Sequence, residues 1–247
     1  KCYGEYRRMI ASLNRHIDTV QIKQCSGSWA NIDHSKTTSI TLSKQKMAFL
    51  NIDSRRKQRT TNDDRVWCAH GFVNYIKDVV KNGKEMKGQK LDMCKFSKDA
   101  INLISCRKLD DECINETIQS EIELLNSQWR DKLLETEQLR NMIAMVDLSG
   151  SPNENSYFCA LSLGCLVAEK SVFGRRVLSF TSTPSWHNLD NCNNFVDMIV
   201  ELTTVEKGFC SCFYNALKVI LDAIVEKKLT PDEVSNLNLA IFSSMQI

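Results

Sequence analysis

The chain has 247 residues, 43% hydrophobic and 25% charged, an ordinary globular balance that excludes disorder throughout. Only 9 Gly and 3 Pro are present, about half the usual share, so long helices are favoured over the many tight turns of a sandwich or propeller. Its longest uncharged run, 155–168, is shorter than the roughly 18 residues a spanning helix needs, and charges punctuate the first twenty residues, so neither a membrane span nor a signal peptide is expected.

The net charge of +2 is unevenly distributed. Residues 1–140 carry 25 Lys and Arg against 19 Asp and Glu, whereas 141–247 carry 7 against 11. Surfaces of opposite sign point to two domains, 1–138 and 139–247, the first incomplete at its N-terminus because the chain opens on Lys1 rather than Met. The 11 cysteines are odd in number and irregularly spaced, which predicts reduced thiols and an intracellular, reducing compartment, the cytoplasm.

In the N-terminal half, Tyr3, Tyr6, Ile10, Leu13 and Ile17 recur at three and four residues and share one helical face, with Arg7, Arg8 and Arg15 on the other. An extended piece is expected at 20–25, then a long polar loop to about 66 holding one short helix around the apolar patch 47–52. From Trp67, the set Phe72, Ile76, Val79 and Val80 marks a helix stopping near Asn82-Gly83. Asp110-Asp111-Glu112 supplies negative charge at the start of another, whose stripe is Ile114, Ile118, Ile122, Leu125, Trp129 and Leu133.

The pattern changes near 140. Residues 142–146 are almost wholly apolar, as in a strand buried on both faces. A helix over 156–170, strands at 176–180 and 186–189, helices at 192–203 and 212–228, and a last strand at 237–242 follow. This alternation predicts an open parallel sheet with helices on both faces, incomplete after its fourth strand, which would leave an unpaired edge.

Ligands of such sheets sit at the carboxyl ends of strands. There, Asp147, Ser149 and Ser151 place one carboxylate and two hydroxyls at alternating positions, a set suited to Mg2+. The same three residues also suit hydrogen bonds within the loop and a cap for the helix that follows. In the basic half, Arg55, Arg56, Lys57 and Arg59 form a run that can attract nucleic acid and that reads equally as a solvated loop.

Met145-Val146-Asp147-Leu148-Ser149-Gly150-Ser151 resembles the first metal-site motif of von Willebrand factor A domains. Leu163-Gly164, Ala168-Glu169-Lys170-Ser171, Arg176-Val177-Leu178-Ser179-Phe180, Phe213-Tyr214, Ala216-Leu217 and Ala240-Ile241-Phe242-Ser243-Ser244-Met245-Gln246-Ile247 are similar to an uncharacterised family of plants, fungi and giant DNA viruses, the giant-virus members above all. Cys25-Ser26-Gly27-Ser28-Trp29, Ile32-Asp33 and Ser35-Lys36 resemble that family's helical region, which is related to the TROVE module of Ro-type ribonucleoproteins. The resemblance implies an α-helical TROVE-like region followed by a von Willebrand A-like α/β domain. It also implies a metal site completed by Ser211, where the family has threonine, and Ser244, where it has aspartate. Losing that aspartate removes one of two formal negative charges around the cation, so the site is degenerate. For a viral member, virion association is a further implication.

Other motifs point to structure. Gly83-Lys84-Glu85-Met86-Lys87-Gly88-Gln89-Lys90 resembles a phosphate loop but has Gln89 in place of lysine and no preceding strand. Cys68 and His70, and Cys210 and Cys212, lack a second ligand pair at finger-like spacing. The four histidines, His16, His34, His70 and His187, assemble no recognisable triad, and there is no G-x-S-x-G elbow. Trp29 and Trp67 are expected in the core rather than on a nucleic-acid face.

The expected function is therefore non-enzymatic binding or scaffolding of a macromolecular partner, with RNA or ribonucleoprotein recognition through the basic half. The alternative is protein–protein adhesion in which a partner carboxylate completes the coordination of the degenerate metal site.

Overall fold

The computed structural model describes residues 2–86, 88–106, 112–134, 136–148, 154–205 and 212–243. In chain order these form α1 (Cys2–His16), α2 (Val20–Cys25), α3 (Ser39–Phe49), α4 (Asp63–Asn82), α5 (Met93–Cys106), α6 (Glu112–Leu133), β1 (Met142–Val146), α7 (Asn155–Lys170), β2 (Arg176–Ser179), β3 (Trp186–Asn188), α8 (Phe195–Thr203), α9 (Phe213–Glu226), α10 (Pro231–Ser235) and β4 (Asn238–Phe242). Two compact units result, residues 1–84 with 111–123, and residues 85–110 with 124–247.

Capping chemistry sets the helix limits of the first unit. Thr38 accepts from the Thr41 N–H and starts α3 well before the apolar patch, and Asn62 accepts from the Asp64 and Arg65 N–H groups and starts α4 four residues before Trp67. Gly83 ends α4 at φ 60°, the left-handed conformation that the Asn82-Gly83 pair predicts. The piece at 20–25 is the short helix α2, not extended, since its hydrogen bonds are local, such as Ile22 N–H to Thr19 O and Ser26 N–H to Ile22 O. The α1 stripe forms as expected but is bare, with Tyr3, Tyr6, Leu13 and Ile17 all more than half exposed.

The core of this unit is Leu42, Phe49, Phe72, Ile76, Val79, Ile118 and Ile122. His34 is buried among the rings of Phe49 and Phe72, at 5.0 and 4.8 Å between centroids. Polar staples complete the packing. The Asp64 carboxylate accepts from the N–H groups of Trp29 and Ala30 at 2.7 and 2.9 Å, and the Arg65 guanidinium lies 3.6 Å above the Trp29 ring. Glu121, 1% exposed, pairs with Lys46 at 3.4 Å and with Arg56.

In the second unit the strand order is β3-β2-β1-β4, with β1 parallel to both β2 and β4. β3 departs from the all-parallel expectation and runs antiparallel to β2. Only residues 180–185 connect them, too few for the crossover a parallel pair requires. Alternate residues of β1 serve opposite faces. Ile143 and Met145 meet Ala216, Ile220 and Ala223 of α9, whereas Val146 lies against Gly164 of α7, so close that a Cβ on Gly164 would overlap the valine side chain. The outer edge of β4 pairs with no other described strand.

Two helices from the first 138 residues pack in this unit. α5, which the sequence reading above does not place, buries Phe96, Ala100 and Leu103 and lies along α7. Its Ser97 Oγ is 2.6 Å from the Ser162 Oγ, and Cys94 is disulfide-bonded to Cys159. The expectation that every thiol is reduced fails at this pair, because parity and spacing do not reveal which cysteines helix packing brings together. The end of α6 contributes Trp129, stacked on Phe195 at 4.0 Å. It also contributes Asp131, whose carboxylate accepts from the N–H groups of Met86 and Gly88. Two amides of the phosphate-loop lookalike, those of Met86 and Gly88, are thus taken by a protein carboxylate.

Candidate functional site

Asp147 stands at the carboxyl end of β1, where the sequence places it. The register pairs Val146 with Phe242, so the next residues, Asp147 and Ser243, face each other across parallel strand ends. The Asp147 N–H donates to the Phe242 carbonyl at 2.8 Å, and its carboxylate accepts from the Ser243 hydroxyl at 2.8 Å. Ser149, Ser151, Ser211 and Ser244 lie outside the described residues. One carboxylate and one hydroxyl supply two of the roughly six oxygens Mg2+ takes, so the described residues alone do not build a metal site. Ser243 is the partner that sequence reasoning missed. Its signal is positional, the hydroxyl that follows the strand paired in register with β1.

Beside it, the turn between β2 and β3 is closed by serines. The Ser179 hydroxyl, 1% exposed as a residue, accepts from the Ser185 N–H at 3.1 Å. Ser185 Oγ is 3.3 Å from His187 Nε2. Burial holds the His187 pKa below its ordinary value. Among the described residues no carboxylate is hydrogen-bonded to His187, so the pair lacks the orienting third group of a nucleophilic triad.

The basic run has a defined architecture. The Asp53 carboxylate accepts from the N–H groups of Arg55 and Lys57 at 2.8 and 2.9 Å, and Ile52 bridges to Gln58 across the turn. Those amide donors hold the Asp53 pKa below the usual carboxylate range. Arg56, at φ 61°, turns inward, and its side chain, 9% exposed, pairs with Glu121. Arg55, Lys57 and Arg59 remain exposed. The structure thus brings three of the four residues to one solvent-facing loop and commits the fourth to the fold.

Cys68 and His70 do not converge. Cys68 is buried and its thiol is pushed up to about 11 by burial, which disfavours the thiolate a metal requires, whereas His70 is exposed. Trp67, expected in the core, is 66% exposed and lies beside His70 at 6.0 Å between ring centroids. The core stripe of α4 runs through Cys68, Phe72, Ile76 and Val79, and Trp67 falls outside it.

Residues 141–247 match the model described as a domain of unknown function, DUF7788. Over 98% of its length the chain is 26% identical to an uncharacterized protein of Acanthamoeba polyphaga mimivirus, and it spans 40% of that protein. No solved structure matches it significantly. Among the described residues, no helix is long and apolar enough to cross a membrane.

Proposed function

We propose that the chain is a non-enzymatic binding protein that holds RNA, alone or within a ribonucleoprotein, through its basic helical unit. Residues 1–138, which include that unit, are read as TROVE-like, and 139–247 as von Willebrand A-like. The D-x-S-x-S segment after the first strand, the position of Asp147 at a strand's carboxyl end and the central place of β1 support the second assignment. An intracellular, reducing compartment fits the thiols left unpaired, Cys2 and Cys25 among them in exposed positions, with Cys94–Cys159 as the exception.

The observation that carries the proposal is the pre-organised loop at 53–59. A flexible basic loop must be ordered when it binds, and that cost subtracts from affinity. Here Asp53 fixes the turn from within and the Arg56–Glu121 pair anchors it, so Arg55, Lys57 and Arg59 already share one turn. Neutralising phosphates releases counterions, and each basic side chain withdrawn from the backbone should flatten the log–log salt slope by roughly 0.7 on a single strand. The test is fluorescence anisotropy with a single-stranded RNA across a salt series. Replacing Arg55, Lys57 and Arg59 by alanine is expected to weaken binding and flatten the slope by up to about 2. An unchanged slope, or no binding at low salt, would remove RNA recognition through this loop.

A second reading is favoured by the Asp147–Ser243 juxtaposition, namely adhesion of a partner protein to the strand ends through a shared cation. It predicts binding that a chelator abolishes.

A further inference from the structure

Between α4 and the first half of α6 lies a cleft of about 620 Å3, formed within the helical unit. Its polar lining includes His70, Asn74 and Lys77 from α4 and Asn115, Gln119 and Glu123 from α6. Trp67, His70, Asn74 and Lys77 follow one another at three, four and three residues, so they share a face of α4. A lone exposed indole is ordinary on a protein surface and carries nothing by itself. This one continues a polar cleft, with its ring beside the imidazole that lines it.

The lining chemistry selects the ligand. One ammonium faces the two carboxylates of Glu116 and Glu123, so the cleft is a poor phosphate site. Three side-chain amides and two carboxylates instead present donors and acceptors to a flat heterocycle, the Gln119 amide donating to the Glu123 carboxylate at 3.3 Å until a base replaces that bond. Amides pair in bidentate fashion with adenine, and carboxylates accept from the amino group of cytosine. Uracil has no amino group, and its single edge donor, N3–H, lies between two carbonyl oxygens that repel an approaching carboxylate. Leu50 also lines the cleft, and its neighbour Asn51 accepts through its carbonyl from the Arg59 N–H at 2.8 Å, so the cleft adjoins the basic loop.

Resting on the RNA function proposed above, we propose that this cleft is where unpaired bases are read. A base stacks on Trp67 while Asn74, Asn115, Gln119, Glu116 and Glu123 select the amino-bearing edges of adenine and cytosine over uracil. The sugar–phosphate chain leaves over Arg55, Lys57 and Arg59. Stacking on an exposed aromatic is the usual way proteins hold single-stranded RNA.

The test uses the whole chain with oligo(rA), oligo(rC) and oligo(rU) of about twelve nucleotides, in the range of single-strand site sizes. Anisotropy gives affinity, and quenching of tryptophan emission reports stacking directly. Oligo(rA) and oligo(rC) are expected to bind about tenfold more tightly than oligo(rU), with quenching. Trp67→Ala should lose the quenching and about tenfold in affinity for oligo(rA), and Trp67→Phe should keep most of that affinity. Because the indole is exposed, neither change should move the melting midpoint appreciably. Asn74→Ala with Gln119→Ala should narrow the preference for adenine over uracil while leaving the salt slope intact. If the triple loop variant weakens RNA binding but Trp67→Ala changes neither affinity nor quenching, RNA recognition stands and the base-reading cleft is wrong. Equal affinity for all three oligomers overturns the base selection. If none of them nor a structured RNA binds at low salt, the RNA function itself falls.

Discussion

The two units stabilise themselves by different means. In the helical unit, charge meets charge inside: Glu121 is covered by Lys46 and Arg56, and Arg65 lies over Trp29 while the neighbouring Asp64 takes two backbone amides. In the sheet unit the interior is mostly apolar or hydroxylic, with Trp129 on Phe195, Gly164 against Val146, Ser97 against Ser162 and a disulfide between α5 and α7, and the buried carboxylate of Asp131 is met by the backbone amides of Met86 and Gly88. The contrast teaches that the positive balance of the first half is not all surface. Part of it is structural, and only what remains exposed is available to a partner.

Removing a charge should therefore hurt the helical unit most. Glu121→Ala leaves Lys46 and Arg56 without their common anion and is expected to cost about 3–5 kcal/mol, read by urea unfolding. A cost below about 1 kcal/mol, typical of surface pairs, would show that the pair is solvated and erase the contrast.

The sheet unit should respond to its covalent link. The Cys94–Cys159 bridge closes a loop with a sequence separation of 65 residues, so Cys94→Ser or reduction is expected to cost about 2–4 kcal/mol. Melting with and without reductant, together with mapping of alkylated peptides, tests this. An unchanged midpoint with both thiols alkylated before reduction would restore the all-thiol expectation.

Acid should act first on the helical core. Burial among Phe49 and Phe72 lowers the His34 pKa from 6.5 to about 4, so the unfolded state takes up a proton that the folded state refuses. Stability should fall as pH drops from about 6.5 to about 4, by up to about 3 kcal/mol, and level off below that as far as this group is concerned. The lowered pKa of His187 adds in the same direction. His34→Phe should remove most of the slope, and a slope unchanged in that variant would assign the acid sensitivity elsewhere.

The smallest effect is expected from metal. With one described carboxylate at the strand ends, already accepting from Ser243, millimolar Mg2+ should leave the melting midpoint unmoved. A rise of several degrees would show a bound cation and strengthen the adhesion reading.

The sheet was legible because short apolar runs such as Met142–Val146 admit few alternatives. The direction of β3 escapes that reading, because the alternation of strands and helices favours an all-parallel order and the short connection at 180–185 carries no weight against it. α5 was legible but not read: Phe96, Ala100 and Leu103 follow at four and three residues, the same helical period that marks α1. Asp147 can be placed from the sequence, but Ser243 becomes its partner only once the strand register is known. Arg56 looks like its neighbours in sequence because Glu121, which draws it inward, lies 65 positions along the chain. Residue type alone puts Trp67 in the core, since helical phase becomes decisive only when the buried stripe is fixed by its partners.

The most direct test of the central claim compares the two units on one RNA. The salt slope of binding should be measured for the unmodified chain, for the Arg55→Ala, Lys57→Ala, Arg59→Ala variant and for Asp147→Asn. The slope should flatten by up to about 2 in the triple variant and stay unchanged in Asp147→Asn. A slope that is unaltered in the triple variant, or that flattens only in Asp147→Asn, would contradict the claim.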